Sequence, residues 1–320
     1  MFRAPDIFRS LADPTRLRIL ALLRAMELSV GELAQVLGQS QPRVSRHVRI
    51  LIDAGLAERR KEGSWVFLSL ADAARVEPLF AMLDRWSELD GEDPWMVADA
   101  ARLAAVRSDR AAAAELYFAS HAKDWDELRS LHIAESEVEA AIGRALDAGG
   151  RPIGRLVDIG TGTGRMISLF GPSASHALGV DRSPEMLRLA RVKLAEAGLG
   201  SAELRQGDMY ALPLQSGSAD TVILHQVLHY AQQPAAAVAE ASRLLAPGGR
   251  LLIVDFAPHD REELRSRDAH ARLGFADDVM LKYVEGAGLE ARVVEHLEGG
   301  ELTVTIWAGE RGESRLKVVA

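Results

Sequence analysis

The segment Asp158-Ile-Gly-Thr-Gly-Thr-Gly164 directly follows the apolar run Leu156-Val157 and precedes a segment with helical character. Its glycines allow a tight turn and a close approach of the backbone to a ligand. A second acidic residue, Asp181, ends another apolar run, 177–180. At that position a carboxylate can accept hydrogen bonds from both hydroxyls of a ribose. The loop and the carboxylate together predict a strand–turn–helix unit that binds a nucleotide.

The spacing of the glycines separates this loop from a dinucleotide site. A dinucleotide fingerprint reads Gly-x-Gly-x-x-Gly, whereas here glycines occupy every second position, 160, 162 and 164, and an acid leads them. Taken alone, the loop could also be an ordinary glycine-rich turn. With Asp181 it resembles the first motif of the class I S-adenosylmethionine (AdoMet) methyltransferases. In that family the leading acid and the glycine backbone hold the methionine moiety of the cofactor.

The resemblance implies AdoMet, or its demethylated product S-adenosylhomocysteine (AdoHcy), as the cofactor. Gly207-Asp208-Met209 resembles the adenine site of the family, with Asp208 meeting the exocyclic amine and Met209 its backbone edge. The cofactor-binding residues implied in this way are Asp158, Gly160, Thr161, Gly162, Gly164, Asp181, Arg182, Met186, Asp208, Met209 and His225.

The resemblance extends over residues 117–309. A helix ends in the turn Pro247-Gly248-Gly249, and strand-length apolar runs alternate with helical periods, which predicts a doubly wound, mostly parallel sheet. In the family the last two strands form an antiparallel edge. Further strands are predicted over 219–224, over 251–255, around Val293 and over 302–307.

The amino-terminal region contains short helical segments with good capping residues. Asp13-Pro14 combines a favoured N-cap with a favoured first helical residue. Ser29 can cap a helix over 30–37, Gly38 can end it, and Ser40 can cap the next helix. Two helices joined by a short glycine-containing turn predict a helix-turn-helix.

The second helix of this motif has an apolar face and a polar face. Val44, Val48 and Leu51 lie at helical spacing and are expected to face inward. His47 is expected to pack rather than to contact a base. A single arginine on a helix surface is usually only solvated, but several polar side chains on this helix suit a DNA groove. Those predicted to contact DNA are Gln41, Arg43, Ser45, Arg46 and Arg49.

A hairpin pattern follows the two helices. Strands are predicted over 56–60 and 65–70, with a turn at 61–64 and with Trp65 in the core of the hairpin. The run from Leu11 to Trp65 resembles the winged helix-turn-helix of the arsenic-repressor (ArsR-like) family. That resemblance implies a double-stranded DNA operator as partner, with Arg60 and Lys61 of the wing as further contacts.

The distribution of charge agrees with a DNA partner. Residues 1–70 hold 11 Lys or Arg against 7 Asp or Glu, a balance of +4 in a chain of net charge −8, so the remainder carries −12. Basic charge at one end of an acidic protein is what contact with phosphate requires.

The absence of cysteine excludes several functions. Sensing of soft metals or arsenite through thiolates is excluded, as are arsenite methylation in its usual form and attack on the ring carbon of cytosine. No histidine spacing indicates a metal site, and none is predicted. The end of the fourth strand, Leu224-His225-Gln226-Val227, lacks the Asn-Pro-Pro-Tyr type of signature found in DNA amino-methyltransferases, so DNA is not expected to be the methyl acceptor.

The fold class expected is therefore α/β, with a class I methyltransferase (Rossmann-like) domain preceded by an α+β winged helix-turn-helix domain. The predicted organisation is a DNA-binding domain over 1–75, a helical connector and dimerisation region over 76–145, the AdoMet-binding domain over 146–310 and a tail over 311–320. Helices flanking a winged domain in this family commonly form the dimer interface, so a homodimer is expected. The chain has no apolar signal core and no membrane-spanning run, and a cytoplasmic protein is expected.

Transfer of a methyl group from a sulfonium requires mainly positioning and exclusion of water. If the acceptor must lose a proton, the candidates for the base are His225, His229 and His259, together with Asp255. Each could equally be a polar loop residue. A cluster of aromatic residues resembles the lid of small-molecule methyltransferases, although packing of a helix on the sheet would explain it as well. These residues are Tyr117, Phe118 and Trp125.

Three functions remain open at this point. The chain could be a transcriptional regulator that senses AdoMet or AdoHcy, or a small-molecule methyltransferase that also regulates transcription. Alternatively, it could be a methyltransferase whose winged domain serves only dimerisation or substrate recognition. The basic recognition helix over 41–49 favours the first two, because winged domains of the third kind seldom keep one.

Overall fold

The computed structural model describes residues 4–62, 65–71, 73–90, 93–106, 135–147, 150–199, 202–298 and 300–313. The chain forms two compact units, Met1–Ala113 and Ala114–Ala320. In the parts of the chain that the structure describes, no helix is long and apolar enough to cross a membrane.

The first unit consists of six described helices around a small sheet. Its elements are α1 (Ala4–Leu11), α2 (Pro14–Ala25), β1 (Leu28–Ser29), α3 (Val30–Leu37), α4 (Gln41–Asp53), β2 (Ala57–Glu62), β3 (Trp65–Leu70), α5 (Ala73–Asp90) and α6 (94–106).

The helix starts follow the predicted capping residues with one exception. Asp13 caps α2 by accepting hydrogen bonds from the backbone N–H groups of Thr15 at 2.8 Å and Arg16 at 3.2 Å. Ser29 begins α3 in a capping box, in which Ser29 and Glu32 exchange hydrogen bonds between side chain and backbone. Ser40 occupies the N-cap position of α4, but its side chain accepts no capping hydrogen bond, so that prediction was only half right.

The turn between α3 and α4 depends on glycine. Gly38 ends α3 in the left-handed region, with φ 64°, where side chains with a Cβ are disfavoured. The predicted inward residues of α4, Val44, Val48 and Leu51, are fully buried. α3 and α4 therefore form the predicted helix-turn-helix.

The hairpin is tighter than predicted. β2 pairs antiparallel with β3 up to the pair Glu62 and Trp65, so that only residues 63–64, which lie outside the described residues, connect the strands. Lys61 and Glu62 thus extend β2 instead of forming a turn. β1 adds a third strand on the other side of β3, with Leu28 opposite Leu68.

The two helices after the hairpin pack on the core of the first unit. Asp93 caps α6 by accepting a hydrogen bond from the backbone N–H of Trp95 at 2.9 Å. Val76 of α5 and Leu103 and Val106 of α6 are buried in the same apolar cluster as the helix-turn-helix. The described beginning of the predicted connector is thus part of the first unit, whereas residues 107–134 of that connector lie outside the described residues. The domain limits at residues 75 and 145 stay predictions.

The second unit alternates strands and helices. Its helices are α7 (Glu135–Asp147), α8 (Arg165–Phe170), α9 (Pro184–Glu196), α10 (Pro234–Leu244), α11 (Glu263–Arg267) and α12 (Asp277–Gly286), with short 3-10 turns at Gly171–Ser173 and Leu228–Tyr230. Its strands are β4 (Arg155–Ile159), β5 (His176–Asp181), β6 (Glu203–Gln206), β7 (Ala219–His225), β8 (Leu245–Phe256), β9 (Glu290–Leu297) and β10 (Val304–Glu310).

The strands form one seven-stranded sheet in the order β6-β5-β4-β7-β8-β10-β9. β6, β5, β4, β7 and β8 are mutually parallel, and β10 runs antiparallel to both β8 and β9. Side chains of α10 and α12 pack on one face of the sheet and side chains of α7, α8 and α9 on the other. The doubly wound sheet and its antiparallel edge are as predicted.

β8 begins earlier than predicted. Pairing with β7 starts at Leu245, opposite Ala219, and resumes at Arg250, opposite Thr221, after an irregularity. The Pro-Gly-Gly segment that was predicted as a separate turn is therefore a bulge inside a longer strand, with Gly248 at φ 76°.

Candidate functional site

The glycine loop lies at the carboxyl edge of the sheet, between β4 and α8. The backbone N–H groups of Gly160 and Thr161 donate to the carbonyl of Val180, at 2.8 and 3.0 Å. Gly160 has φ 73°, and a Cβ there would lie 2.4 Å from Cγ2 of Val227. Only glycine fits this position, and Val227, which the sequence analysis did not single out, forms the wall against which the loop packs.

Asp158 is held by the loop that follows it. Its carboxylate is almost fully buried and accepts a hydrogen bond at 2.6 Å from the hydroxyl of Thr161. A Cβ on Gly179 of β5 would lie 2.8 Å from the hydroxyl oxygen of Thr161, so glycine is needed there to admit this side chain. Asp158 and Thr161, each predicted to bind the cofactor, are thus joined by a hydrogen bond.

Asp181 connects two loops. One carboxylate oxygen accepts the backbone N–H of Gly162 and the other accepts the backbone N–H of Ser183, both at 2.8 Å. Burial raises the pKa of Asp181 above its usual value, and backbone hydrogen bonds, from Ser183, Gly162 and Arg182, oppose that rise. A carboxylate oxygen can accept more than one hydrogen bond, so both oxygens keep capacity for the hydroxyls of a ribose.

The loop is suited to a ligand without phosphate. The N–H groups of Gly160, Thr161 and Gly162 already have acceptors within the protein, in the carbonyl of Val180 and the carboxylate of Asp181. A phosphate cradle instead presents several unbonded backbone N–H groups to the anion. The loop therefore offers close approach of its backbone and the negative charge of nearby carboxylates, which suits a cationic or zwitterionic ligand.

The predicted adenine side is built from the loop after β6. The N–H of Gly207 donates to the backbone carbonyl of Asp181 at 3.0 Å, which places this loop beside Asp181. Asp208 accepts the backbone N–H of Tyr210 at 3.0 Å, and Met209 is partly buried against the sheet core. The Tyr210 hydroxyl accepts the N–H groups of residues 232 and 233, and burial raises its pKa.

Two other predicted cofactor residues lie at the start of α9. Ser183, which the sequence analysis missed, caps this helix by accepting the N–H of Met186 at 3.3 Å. The Met186 side chain is buried, whereas Arg182 is exposed and its carbonyl accepts a hydrogen bond from Gln206 at 3.0 Å. The spacing Ser183-Pro184 is the sequence signal for this cap that could have identified it.

On the other side of the glycine loop, the carboxyl ends of β7 and β8 bring histidines together with an aspartate. His229 Nδ1 lies 2.8 Å from Oδ1 of Asp255, and both residues are buried. Asp255 also accepts the backbone N–H groups of Leu228, His229 and Phe256, at 2.9, 3.2 and 2.8 Å. These bonds fix the position of the Asp255 carboxylate, which in turn orients the His229 imidazole. The bond to Asp255 uses Nδ1, so Nε2 is the ring nitrogen on the opposite side. His225 ends β7 and is 8% exposed.

Residues 268–276, which follow α11, complete this side. The N–H groups of Ala271 and Arg272 donate to the carbonyl of His229, and the ring of His270 lies 4.3 Å from that of His229. The third predicted base, His259, lies 6.4 Å from the His270 ring and donates its backbone N–H to the carbonyl of Leu273. His270 and Arg272 belong to no motif, and only the tertiary fold reveals their place.

Gln226 adds a strained position directly after β7. It adopts φ 48°, a region that residues with a Cβ seldom occupy, and its N–H donates to the carbonyl of Val254 at 2.7 Å. Such strain is concentrated at functional sites, where the surrounding structure imposes it. The conformation directs Val227 toward Gly160, and no sequence pattern signals it.

Two further predictions about the second unit concern a lid and a metal site. The predicted lid residues Tyr117, Phe118 and Trp125 lie outside the described residues. Within the described ranges, no group of three or more His, Asp or Glu side chains is placed to hold a metal ion.

The polar face of α4 is accessible in the first unit. Gln41, Arg43, Arg46 and Arg49 are exposed and Ser45 is half-buried. Arg60 and Lys61 lie in β2, and their side chains are outside the described residues.

His47, which follows Arg46 on α4, packs as predicted. Its Nδ1 lies 3.7 Å from Asp13, and burial lowers its pKa. A neutral, packed imidazole leaves the positive charge of this helix to its arginines.

The bond between Thr161 and Asp158 gives a direct test of the loop. Thr161→Val removes the hydroxyl and is expected to lower the free energy of unfolding of the second unit by about 1–3 kcal/mol, because a buried carboxylate loses a donor. Thr161→Ser keeps the hydroxyl and serves as the matched control, with a much smaller expected loss. Urea denaturation of the full chain measures both, and equal stability of the two variants would contradict the role assigned to this bond.

Comparisons with known proteins match both units. Residues 13–59 match the family model described as bacterial regulatory protein, arsR family, and residues 157–253 match a methyltransferase domain. The arsenic resistance transcriptional regulator ArsR1 of Pseudomonas putida is 40% identical over 101 residues, which are 31% of this chain and 77% of that relative.

The methyltransferase half has relatives of its own. The uncharacterized methyltransferase YcgJ of Bacillus subtilis is 34% identical over 107 residues, 33% of this chain. This chain spans only 42% of the length of that relative. A chain of the solved Trm112 methyltransferase activator complex from Haloferax volcanii shares the fold, with a TM-score of 0.50 and 18% identity, covering 61% of this chain and 98% of that one.

The two matches agree with the geometry of the two units. Methyltransferase domains of this type use S-adenosylmethionine, the cofactor expected from the glycine loop. The chain belongs to the ArsR family of bacterial regulatory proteins, and it carries an S-adenosylmethionine-dependent type of methyltransferase domain carboxyl-terminal to its helix-turn-helix.

Proposed function

We propose that this chain is a DNA-binding transcriptional regulator whose second unit binds AdoMet or AdoHcy and thereby changes the affinity of the first unit for an operator. One observation carries the proposal: an exposed basic recognition helix and a complete glycine-loop site occur in the same chain. A ligand shifts DNA binding only if it binds the DNA-competent and DNA-incompetent states with unequal affinity.

The residues of the second unit fit the cofactor. The acidic loop around Asp158 would hold the methionine end, Asp181 would accept the ribose hydroxyls, and the loop at Asp208 and Met209 would hold the adenine. The internally bonded N–H groups of the glycine loop support a sulfonium or thioether ligand over a dinucleotide. Close packing of Gly160 against Val227 and the strained backbone of Gln226 support a site whose shape is fixed before the ligand binds.

The first unit fits a double-stranded operator. The exposed polar face of α4 has the composition of a helix that enters the major groove, and the wing strand β2 carries Arg60 and Lys61. The balance of +4 over residues 1–70 supports contact with phosphates. A double-stranded DNA partner also supports a cytoplasmic location.

Exposed apolar side chains support a homodimer. Large apolar residues on α1, α5 and α6 are half or more exposed, and dimerisation would bury them. A dimer with a two-fold axis would match a palindromic operator. These residues are Phe8 at 57%, Trp86 at 53%, Leu89 at 71%, Trp95 at 61% and Val97 at 50% exposure.

Methylation of a small molecule is the second candidate function, and the pair of His229 and Asp255 favours it. A methyl group would pass from the sulfonium sulfur to an oxygen or nitrogen of the acceptor, the electrons of the broken bond would stay on sulfur as AdoHcy, and Nε2 of His229 would take the acceptor proton. Asp255 would stabilise the resulting imidazolium. The acceptor would be a small molecule that carries an ionisable O–H or N–H group.

The ribose assignment is tested by Asp181→Ala. The variant is expected to lose about 1.5–3 kcal/mol of AdoHcy binding free energy, roughly ten- to a hundredfold in Kd, because hydrogen bonds to a charged group are lost. Titration calorimetry measures the Kd, and Glu196→Ala, at the exposed end of α9, is the control. Unchanged affinity in Asp181→Ala would refute the assignment.

The DNA contact is tested by Arg43→Ala combined with Arg46→Ala. Both side chains are exposed on α4, so the double variant is expected to fold normally, to bind a duplex selected from a random pool more weakly, and to show a salt slope reduced by about one per lost phosphate contact. Arg85→Ala, on the exposed side of α5, is the matched control. Gel shifts like those of wild type would show that α4 does not contact DNA.

The ligand response separates a signal from chemistry. The selected duplex is titrated with the full chain in the presence of AdoMet or AdoHcy, and methyl transfer is followed in the same tubes. A regulator is expected to show a Kd for DNA that changes about fivefold or more with ligand and without any acceptor, the usual range of allosteric coupling. No change with either ligand, together with AdoHcy formation when metabolite mixtures are added, would favour the enzyme alone.

A further inference from the structure

A buried ionic cluster joins α6 to the helix-turn-helix. Arg18 of α2 makes a bidentate pair with Asp99 of α6, at 2.6 and 2.7 Å, and the side chains are 10% and 2% exposed. Arg102 of α6 donates to the same carboxylate at 3.1 Å. We call these three residues, Arg18, Asp99 and Arg102, the Asp99 cluster. The ring of Trp95 lies 5.1 Å from the Arg18 guanidinium and covers the pair.

The Asp99 cluster also reaches the end of α3. Arg102 donates to the carbonyl of Val36 at 3.2 Å, two residues before the left-handed Gly38 that turns the chain toward α4. Two further residues of α6, Leu103 and Val106, are buried in the apolar core of the first unit. α6 is therefore bonded to α2 and to the last turn before the recognition helix.

The position of α6 in the chain gives this contact its significance. It is the last described helix of the first unit, so among the described helices of that unit it is the nearest in the chain to the second unit. Because the buried ion pair is costly to separate by partial displacement, α6 would move together with α2 and the end of α3, or release them completely.

We infer that α6 transmits the ligand state of the second unit to the recognition helix through the Asp99 cluster. The inference rests on the proposed function, since it names the route by which a ligand at the second unit would alter DNA binding. It requires two arrangements of α6, one with the cluster formed and one with it broken, which the ligand favours unequally. AdoHcy would change the Kd for DNA only while the cluster connects the two helices.

The experiment compares the DNA response to AdoHcy in variants of the full chain. Arg102→Gln removes the contacts to Val36 and Asp99 from a side chain that is 47% exposed, so the fold is expected to survive. Arg18→Leu combined with Asp99→Leu replaces the buried pair by apolar side chains, which avoids an unpaired buried charge. Arg85→Gln, whose exposed partner Glu88 lies on the same helix, is the matched control.

Three readouts distinguish the outcomes: the Kd for AdoHcy by calorimetry, hydrogen exchange of the amides of α3 and α4 with and without AdoHcy, and the ratio of the Kd values for the selected duplex with and without AdoHcy. We expect Arg102→Gln and the double variant to bind AdoHcy like wild type. In both, the ratio should fall to about one and the ligand-dependent exchange should disappear. Arg85→Gln should keep both responses.

Two outcomes would overturn the inference, and they differ in whether the proposed function stands. Folded cluster variants with the wild-type ratio and the wild-type exchange response would show that the signal takes another route, while the proposed function would stand. A wild-type chain that binds AdoHcy without any change in DNA affinity or in exchange of α3 and α4 would overturn the proposed function and leave the cluster nothing to transmit.

Discussion

The carboxylate of Asp181 fixes the geometry on which the rest of the second unit's site depends. It accepts one N–H from the glycine loop after β4 and one from the loop before α9. The backbone carbonyl of the same residue accepts the N–H of Gly207. Three loops thus meet at one residue at the carboxyl edge of the sheet. Because the carboxylate is partly buried, water competes less for these bonds, and the loops keep one arrangement. The proposed cofactor site depends on this arrangement.

The parts of this site that could be predicted from sequence are those whose chemistry is local. The acid-led glycine loop lies next to its strand in the chain, and the strand that ends in Asp181 is an apolar run followed by a cap, so both could be read from residue types and spacing. The parts that could not be predicted come from the tertiary fold. Val227 and Gln226 matter because β7 lies beside β4, and His270 matters because a loop after α11 returns to the sheet.

The first unit shows the same division between local and tertiary information. Asp13, Ser29 and Gly38 begin and end helices through bonds to neighbouring residues, and their roles were predicted. Ser40 has the right residue type at the right position but no bond, because capping preference is statistical and the local geometry decides. The ion pair of Arg18 and Asp99 joins residues 81 positions apart, and no sequence pattern indicates so distant a contact.

The stacking of Trp95 on Arg18 has a practical consequence. Indole emission depends on the electric field and on the water around the ring, and this indole is more than half exposed while it lies over a guanidinium. Departure of α6 from α2 would remove the cation from the ring and change its spectrum. Trp95 is one of five tryptophans in the chain, so the difference in emission between the wild type and a Trp95→Phe variant would report movement of this helix without any attached dye.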